Sequence, residues 1–277
     1  MSLAKIPLAG VVGSPIAHSK SPQIHGHWLK TYGIEGRYVP LDIASDDLKE
    51  VITALPKMGF VGVNVTIPHK ERILEIADLV TDRATLIGAA NTLIFRKDGR
   101  IHADNTDGYG FLENLRSGAP GWNPKSGPAA VLGAGGAARA VIASLLDAGV
   151  PEILLSNRTR IRAERLKSDF GNRLTVYDWV QAGNMIDHAA LLVNTTSLGM
   201  IGKGELRVPL DGLSANTVVT DLVYTPLKTR LLETAGEIGC VTVDGLGMLL
   251  HQAVPGFERW FGTRPVVDRA TRAAALR

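Results

Sequence analysis

The sequence contains a single cysteine, Cys240, among its 277 residues. One thiol forms no disulfide within the chain and supplies too few sulfur ligands for a cysteine-based zinc site. The seven histidines form no H-E-x-x-H pattern, and His25 and His27 are poorly spaced for two ligands on one helix. We therefore predict no bound metal ion, which disfavours a zinc alcohol dehydrogenase.

Long hydrophobic runs are also missing. No stretch approaches the roughly 20 apolar residues of a membrane-spanning helix, and the N-terminus lacks the pattern of a signal peptide. Aromatic residues make up 5% of the chain and hydrophobic residues 45%, so the predicted core is mainly aliphatic. The net charge of +3 is small, and no basic surface interleaved with aromatic residues indicates nucleic-acid binding. We expect a cytoplasmic protein with neither membrane nor nucleic-acid partners.

The clearest positive signal is a glycine-rich turn between an apolar run and an amphipathic helix. The run ends at Gly133, and the spacing from there to Ala138 is G-x-G-x-x-A. This order is typical of the dinucleotide-binding fingerprint, in which the helix N-terminus faces the phosphates. Such turns can also merely join two elements, but the context on both sides favours nucleotide binding. The predicted loop consists of Gly133, Ala134, Gly135, Gly136 and Ala137.

An acidic residue is missing where an NAD site usually has one. The next predicted strand ends at Ser156, and an acid at this end would bind the ribose hydroxyls. The chain has Asn157, Arg158 and Thr159 there, and further basic residues follow as far as Arg173. Such a run is often only the solvated face of a helix. A cationic cluster without an acid that would repel a 2′-phosphate nevertheless favours NADP(H) as the cofactor.

Alternating strand and helix patterns predict an α/β fold with mostly parallel sheets. The length predicts about two domains, and residues 118–128, rich in Gly, Pro, Asn and Ser, form a predicted linker before the nucleotide-binding unit. In the N-terminal half, a helix is expected to begin near Lys70, after a strand that ends at Thr66. Asp46 and Asp47 are candidate caps of an earlier helix.

Polar side chains after strand ends in the N-terminal half suggest a pocket for a small, hydroxylated anion. Ser19 and Ser21 could instead cap the following helix, and Asp107 could cap another. Asn64 is harder to explain structurally, because strands disfavour asparagine and a buried amide needs hydrogen-bond partners. The candidate residues are Ser19, Ser21, Asn64, Thr66, Lys70, Asn91 and Asp107.

Hydride transfer from a secondary alcohol requires a group that exchanges the hydroxyl proton, and Lys70 is the best candidate for it. At a helix start, the positive end of the helix dipole would lower the pKa of this lysine. Asp107 would raise that pKa again and hold the lysine in position. Which of the two groups carries the proton at neutral pH stays open, because two interacting groups titrate as a pair.

Eight short motifs run in one order along nearly the whole chain. They are Val12-Gly-Ser-Pro-Ile-Ala-His-Ser-Lys-Ser-Pro22, Asn64-Val-Thr-Ile-Pro-His-Lys70, Gly88-Ala-Ala-Asn-Thr92, Asn105-Thr-Asp-Gly108, Gly133-Ala-Gly-Gly-Ala-Ala-Arg139, Asn157-Arg-Thr159, Asp221-Leu-Val-Tyr224 and Asp244-Gly-Leu-Gly-Met-Leu-Leu-His-Gln-Ala253. Together they resemble the shikimate dehydrogenase family. Two small departures are Gly26, where many relatives have Asn, and Ala90, where Val is common.

The resemblance implies NADPH-dependent, reversible reduction of 3-dehydroshikimate to shikimate, a step in aromatic amino-acid biosynthesis. It also implies two α/β domains with the active site in the cleft between them. Residues 1–106 and 245–277 would form the substrate-binding domain, and residues 107–244 the Rossmann-like NADP-binding domain. A quinate or dual quinate/shikimate dehydrogenase is the alternative enzyme, and an inactive NADP-binding regulator is a further alternative. The protein is expected to be a monomer or a homodimer.

The resemblance further implies a role for each matching residue. Ser19 and Ser21 would hold the substrate carboxylate, and Lys70 with Asp107 would be the catalytic pair. The residues that would bind ring hydroxyls are Asn64, Thr66, Asn91, Asp107, Tyr224 and Gln252. Besides the glycine loop, the residues that match cofactor positions are Asn157, Arg158, Thr159, Arg162, Thr195, Leu222, Gly245 and Met248, of which the last three would lie beside the nicotinamide.

Overall fold

A computed structural model describes residues 6–277 and divides them into two compact units. Unit 1 contains the residues before Asp107 together with residues 250–277, and unit 2 contains residues 107–249. Each unit has one six-stranded sheet. The two-domain α/β fold predicted from the sequence is therefore confirmed, whereas the domain boundaries assigned at residues 106/107 and 244/245 stay a prediction.

The described part of unit 1 before residue 107 contains a mixed sheet and three α-helices. Its elements, in chain order, are β1 (Leu8–Gly13), α1 (Ser21–Thr31), β2 (Arg37–Asp42), α2 (Leu48–Ala54), β3 (Phe60–Val65), β4 (Leu79–Val80), α3 (Asp82–Ile87), β5 (Thr92–Phe95) and β6 (Ile101–Asp104). The strand order is β2-β1-β3-β5-β6-β4. Strands β1, β2 and β3 are parallel, and β5 runs antiparallel to both β3 and β6.

One local prediction in unit 1 is wrong, and a second is met only in position. The segment after Lys70 forms only a four-residue 3-10 turn, Arg72–Glu75, where an α-helix was expected. Asp46 and Asp47 lie in a 3-10 turn that precedes α2. Asp47 occupies the N-cap position of α2, but its side chain makes no capping hydrogen bond.

Unit 2 has the strand order of a dinucleotide-binding fold. Its elements are α4 (Asp107–Gly118), β7 (Ala129–Leu132), α5 (Gly136–Ala148), β8 (Ile153–Ser156), α6 (Arg160–Phe170), β9 (Leu174–Tyr177), α7 (Ala182–Ile186), β10 (Leu191–Asn194), β11 (Val218–Asp221), α8 (Arg230–Ile238) and β12 (Val241–Val243). All the strands pair in parallel, in the order β9-β8-β7-β10-β11-β12. This is the Rossmann order 3-2-1-4-5-6.

The sheet of unit 2 is buried on both faces. Along β7, Val131 contributes to one hydrophobic cluster, and its neighbours Ala130 and Leu132 contribute to another. Along β10, Val193 and Leu192 are divided between the same two clusters. Successive side chains of a strand point to opposite faces, so continuous apolar strands are what a parallel sheet covered by helices requires.

Two helices complete the chain: α9 (Leu246–Phe261) and α10 (Arg269–Ala275). The first four residues of α9 belong to unit 2 and the remainder to unit 1. Within residues 6–277, none of the helices combines the length and the apolarity that crossing a membrane would require.

Candidate functional site

In unit 1, four chain segments meet at one edge of the sheet. Strands β1 and β3 are parallel neighbours, so the segments after Gly13 and Val65 leave the sheet at the same edge. Strand β5 is antiparallel to β3 and pairs Thr92 with Asn64, so β5 begins at this edge. Strand β6 is antiparallel to β5 and pairs Asp104 with Thr92, so it ends there. This edge collects every segment before residue 107 that carries a predicted substrate residue.

Ser19 and Ser21 lie where the chain passes from β1 into α1, and both are partly exposed. Ser21 is the first residue of the helix, and Lys20 occupies the N-cap position without a capping side-chain hydrogen bond. The Ser19 hydroxyl accepts a hydrogen bond of 3.3 Å from the backbone N–H of Ser21. A role in capping α1 therefore explains one long hydrogen bond of the Ser19 hydroxyl. It does not explain the hydroxyl of Ser21.

The amide of Asn64, near the end of β3, is held by three hydrogen bonds. Its Oδ1 accepts from the Tyr38 hydroxyl at 2.7 Å. Its Nδ2 donates to the backbone carbonyl of Asn91 at 3.1 Å and to Thr92 Oγ1 at 3.3 Å. The expectation that an amide in this strand needs partners is met, because both amide hydrogens and one oxygen lone pair are used.

Asn91 and Thr106 form the buried part of the same edge. Asn91 Oδ1 accepts from the backbone N–H of Thr106 at 2.9 Å and from Thr92 Oγ1 at 2.9 Å. Thr106 Oγ1 lies 3.1 Å from this same oxygen and 2.9 Å from the backbone carbonyl of Gln252. Thr106 is not among the residues predicted from the sequence, although its place in the Asn105-Thr-Asp-Gly108 motif was an available signal.

Lys70 lies half-buried on the turn that follows β3. Its backbone carbonyl accepts a hydrogen bond of 2.8 Å from the N–H of Ala90. The preceding His69 is buried, and its Nε2 lies 2.8 Å from the carbonyl oxygen of Ile43. Thr66 begins the turn, and its backbone N–H donates to the carbonyl oxygen of Val12 at 2.9 Å. The turn is thus fixed by long-range backbone contacts, and the helix dipole expected at Lys70 has no α-helix to supply it.

Two further predicted substrate residues belong to unit 2. Asp107 is buried and is the first residue of α4, not its cap. Tyr224 lies three residues beyond β11 and is half-buried. Burial raises the pKa of Tyr224 above its ordinary value, so the phenol stays protonated at neutral pH and can donate a hydrogen bond.

The glycine turn after β7 has the backbone that a phosphate-binding loop requires. Gly133 has a φ of +107°, and a Cβ there would lie 2.6 Å from Thr195 Oγ1. Gly135 is the extended N-cap of α5, and a Cβ on Gly135 or Gly136 would meet nothing within 4 Å. Ala138, one turn into the helix, is fully buried. The N-terminus of a 13-residue helix is therefore open to an anion.

Thr195 lies at the point where the strand order of unit 2 reverses. Strands β7 and β10 are parallel neighbours, and Thr195 follows β10 as Gly133 follows β7. The Thr195 hydroxyl donates to the carbonyl of Leu132 at 2.7 Å. In open α/β sheets, ligands bind outside the carboxyl ends of the strands at this switch point.

Asn157 connects the glycine turn to the segment after β8. Its Oδ1 accepts from the N–H of Ala134 at 3.1 Å. Its Nδ2 donates to the carbonyl of Thr159 at 2.8 Å. One amide therefore sets the spacing between the phosphate loop and the arginine-rich segment.

The arginines of that segment differ in their partners. Arg160 forms ion pairs with Glu164 at 2.8 Å and with Asp178 at 2.7 Å. Arg158 and Arg162 are exposed, and neither has an acidic partner in the described part of the chain. The two arginines predicted to bind a 2′-phosphate are thus the ones available for it, and these residues fit the cofactor.

The residues predicted beside the nicotinamide also come together in unit 2. A Cβ on Gly245 would lie 2.3 Å from the carbonyl oxygen of Leu222, so only glycine fits this contact. Met248, two residues into α9, packs against the core of unit 2. Asn114 Nδ2 donates to the carbonyl of Asp244 at 2.7 Å and holds the turn that precedes Gly245.

Nowhere in residues 6–277 do three or more His, Cys, Asp or Glu side chains gather as possible metal ligands. Unit 1 offers hydroxyls, amides and a lysine at one edge of its sheet. Unit 2 offers an open helix N-terminus and two exposed arginines that have no acidic partner within residues 6–277. Such groups suit a small hydroxylated acid and a phosphorylated dinucleotide.

Three family models match the chain. They describe the shikimate dehydrogenase substrate-binding domain over residues 11–93, the shikimate/quinate 5-dehydrogenase domain over residues 122–206 and the shikimate 5′-dehydrogenase C-terminal domain over residues 245–274. A relative from Roseobacter denitrificans named shikimate dehydrogenase (NADP(+)) is 71% identical over 276 residues, which cover 100% of each chain.

Solved structures extend the comparison. A Thermus thermophilus shikimate 5-dehydrogenase in complex with NADP(H) and shikimate is 39% identical, with a TM-score of 0.85 and 98% coverage of each chain. A quinate dehydrogenase from Corynebacterium glutamicum in complex with NAD is 31% identical, with a TM-score of 0.90 and coverage of 98% and 99% of the two chains.

Proposed function

This chain belongs to the shikimate dehydrogenase family, and we infer that it catalyses the reversible, NADP(H)-dependent reduction of 3-dehydroshikimate to shikimate. In the oxidative direction, a hydride leaves the carbon that bears the alcohol and reduces NADP⁺, and the hydroxyl proton passes to a protein group. The observation that carries this inference is the 71% identity over the full chain with a relative of that name. The reaction belongs to aromatic amino-acid biosynthesis.

We propose that the cofactor is bound by unit 2. Backbone N–H groups of the glycine loop and the N-terminus of α5 would hold the pyrophosphate. Arg158 and Arg162 would bind the 2′-phosphate, supported by their exposure and by the absence of acidic partners among the described residues. The remaining cofactor residues of this proposal are Gly133, Ala134, Gly135, Gly136, Ala137, Asn157, Thr159, Thr195, Leu222, Gly245 and Met248.

The substrate residues are proposed on the resemblance and on the chemistry of their side chains. Ser19 and Ser21 would donate hydrogen bonds to the carboxylate. Because both amide hydrogens of Asn64 are already used, its oxygen would accept from a ring hydroxyl. The other residues proposed to bind ring hydroxyls are Thr66, Asn91, Asp107, Tyr224 and Gln252.

Lys70 and Asp107 are the proposed catalytic pair. One of them takes up the hydroxyl proton as the hydride leaves and returns it in the reverse direction. Lysine and aspartate are both among the side chains that act as general acids and bases. Their motifs, Asn64-Val-Thr-Ile-Pro-His-Lys70 and Asn105-Thr-Asp-Gly108, support the assignment.

We also propose the setting in which the enzyme works. Its partners are small molecules, with no nucleic acid or membrane, and it acts in the cytoplasm as a monomer or a homodimer. The small net charge of +3 supports the absence of nucleic-acid and membrane partners. The one local cluster of basic residues, after β8, is explained by the phosphate of the cofactor.

An absorbance assay tests the proposed function. Purified protein is mixed with shikimate or quinate and with NADP⁺ or NAD⁺, and reduction of the nucleotide is followed at its near-ultraviolet band. We expect turnover with shikimate and NADP⁺ as the best pair. Better turnover with quinate would identify the alternative enzyme, for which the fold similarity to a quinate dehydrogenase is the supporting observation. Nucleotide binding without turnover of either acid would indicate a regulator.

A further inference from the structure

The amide of Asn64 has only one acceptable orientation. Its nitrogen faces the carbonyl oxygen of Asn91, which cannot donate, so exchanging the two amide ends would place two acceptors against each other. The amide oxygen must then face Tyr38, whose hydroxyl donates to it at 2.7 Å. Tyr38 and Asn91 together fix which end of the amide is the acceptor.

The Tyr38 hydroxyl has a second polar neighbour. Tyr38 is only 8% exposed. Burial raises its pKa well above the ordinary value, and a hydrogen bond with the side chain of Ser21 opposes that rise. The phenol thus donates its one hydrogen to Asn64 of β3 and has Ser21 of α1 as its second polar neighbour.

The ring of Tyr38 is fixed by aromatic packing. It stacks on His25 with ring centroids 3.9 Å apart and ring planes 3° from parallel. Trp260 and Trp28 pack around the same histidine, with centroids 5.7 Å and 5.6 Å away. Burial lowers the pKa of His25 to about 3, and the side chain of Asn64 opposes this shift only in part. The imidazole ring is therefore uncharged at physiological pH. The hydroxyl therefore has little freedom to move.

We propose that Tyr38 is a positioning residue for substrate recognition, which holds Asn64 and Ser21 in the orientation that binds the substrate. This inference rests on the proposed function. Tyr38 acts through these two side chains, and the donated hydrogen bond leaves Asn64 as a pure acceptor for a substrate hydroxyl. Without the Tyr38 hydroxyl, the amide keeps its two donated hydrogen bonds but loses the one that holds its oxygen, so binding of shikimate weakens while the proton-transfer step is preserved.

Steady-state kinetics of four proteins test this: the wild type, Tyr38→Phe, Asn64→Ala and the double variant. Tyr38→Phe keeps the ring and its stacking on His25. We expect it to raise KM for shikimate about tenfold, with kcat and KM for NADP⁺ within about twofold. In the Asn64→Ala background the same substitution should raise KM by less than about threefold, because two residues that act together are not additive.

Tyr32→Phe is the matched control. It is also a tyrosine of unit 1 and its hydroxyl accepts from the N–H of Val266 at 2.9 Å, but it contacts no proposed substrate residue in the described structure. Its KM should equal that of the wild type. Circular dichroism and melting temperature report folding, and Tyr38→Met, whose flexible side chain adapts to the space, replaces Tyr38→Phe if that protein does not fold.

The possible failures can be told apart. A wild-type protein that does not oxidise shikimate would refute the proposed function. With an active wild type, a KM of Tyr38→Phe within twofold of normal would overturn the role of Tyr38. An equal KM increase in both Asn64 backgrounds would overturn the route through Asn64. A fall in kcat at constant KM would overturn the proposed role of Tyr38, since an effect on substrate recognition must appear in KM.

Discussion

Lys70 is the residue at which the proposed chemistry is most directly testable. Its turn is fixed by the Ala90 N–H and by His69, so replacing the side chain should leave the backbone in place. We expect Lys70→Ala to lower kcat by about 10²–10⁴-fold and to change KM for shikimate much less, because proton transfer acts mainly in the transition state. Initial rates with saturating NADP⁺ measure both constants.

Lys57→Ala is the control for Lys70→Ala, as it removes an exposed lysine from the same unit. Its kcat should equal that of the wild type. Near-normal turnover of a folded Lys70→Ala protein would contradict the prediction. Asp107 would then be the group that exchanges the proton.

Asp104 provides a stability prediction in unit 1. It is fully buried and accepts from Arg83 Nε at 2.6 Å and from Arg259 Nη1 at 2.7 Å. Burial opposes its ionisation, but the hydrogen bonds from the two arginines outweigh burial and hold the pKa of the carboxyl well below its ordinary value. We expect Asp104→Asn to lower the free energy of unfolding at pH 7 by about 2–3 kcal/mol.

The lowered pKa of Asp104 also predicts how the loss of stability in Asp104→Asn changes with pH. A carboxyl whose pKa is lower in the folded state stabilises the fold fully above its unfolded pKa, which is about 4. That stabilisation is lost as the pH falls further, so the difference between the wild type and Asp104→Asn should shrink below pH 4. Urea unfolding from pH 7 to pH 3 measures it. Asp98→Asn, at an exposed ion pair, should have a much smaller effect, and a pH-independent difference for Asp104→Asn would refute the argument.

Asn64 shows how far a single residue can be interpreted from sequence. An amide in a valine-rich strand predicts hydrogen-bond partners, and the structure provides three of them. Their identity could not be predicted. Tyr38 and Asn91 lie 26 and 27 residues away along the chain, and only the register of the sheet brings them to Asn64. A pattern along the chain reports what a residue needs and not which residue supplies it.

At the scale of elements, we propose that the segment after β8 determines the choice of nucleotide. Hydrogen bonds to charged groups contribute roughly 1.5–3 kcal/mol, so Arg158→Ala should weaken NADP⁺ binding by about ten- to a hundredfold. Binding of NAD⁺ should barely change. Fluorescence or calorimetric titration with both nucleotides measures this preference.

Arg160→Ala is the control for Arg158→Ala because Arg160 is already paired with Glu164 and Asp178. It should leave the preference for NADP⁺ over NAD⁺ unchanged. If Arg158→Ala weakened both nucleotides equally, the arginine would support the fold without distinguishing the 2′-phosphate.

The elements also show why one part of the sequence interpretation failed. The Rossmann unit was predictable, because its strand, glycine turn and helix are consecutive and each has a strong local signal. The helix expected after Lys70 was not formed. Asp78 instead exchanges hydrogen bonds with Ile101, at 2.9 Å and 2.7 Å, and the next two residues pair with β6 as β4. A long-range strand pairing thus overrides a local helical pattern.

At the scale of the whole molecule, the fold alone does not choose the substrate. One fold can support different reactions, so we expect specificity to depend on the side chains at the sheet edge of unit 1. In unit 1, hydrogen bonds join Asn64, Asn91 and Thr106 at this edge, and Tyr38 connects them to α1 by stacking on His25. A rigid set of groups favours one arrangement of substrate hydroxyls and disfavours its close analogues.

We therefore expect shikimate to be strongly preferred to quinate. The proposed carboxylate site consists of two small hydroxyl residues, Ser19 and Ser21, which suit an acid on a flat, unsaturated ring carbon. Quinate has an additional hydroxyl at that carbon, and its saturated ring tilts the carboxylate out of the plane. The extra hydroxyl must either clash or remain unpaired, at a cost on the order of 1–3 kcal/mol.

The value of kcat/KM for quinate should then be at least about tenfold lower than for shikimate. Ser19→Ala and Ser21→Ala should each raise KM for shikimate. Equal kcat/KM values for the two acids, measured with NADP⁺ on the same preparation, would instead identify a dual-specificity enzyme whose carboxylate site tolerates both ring geometries.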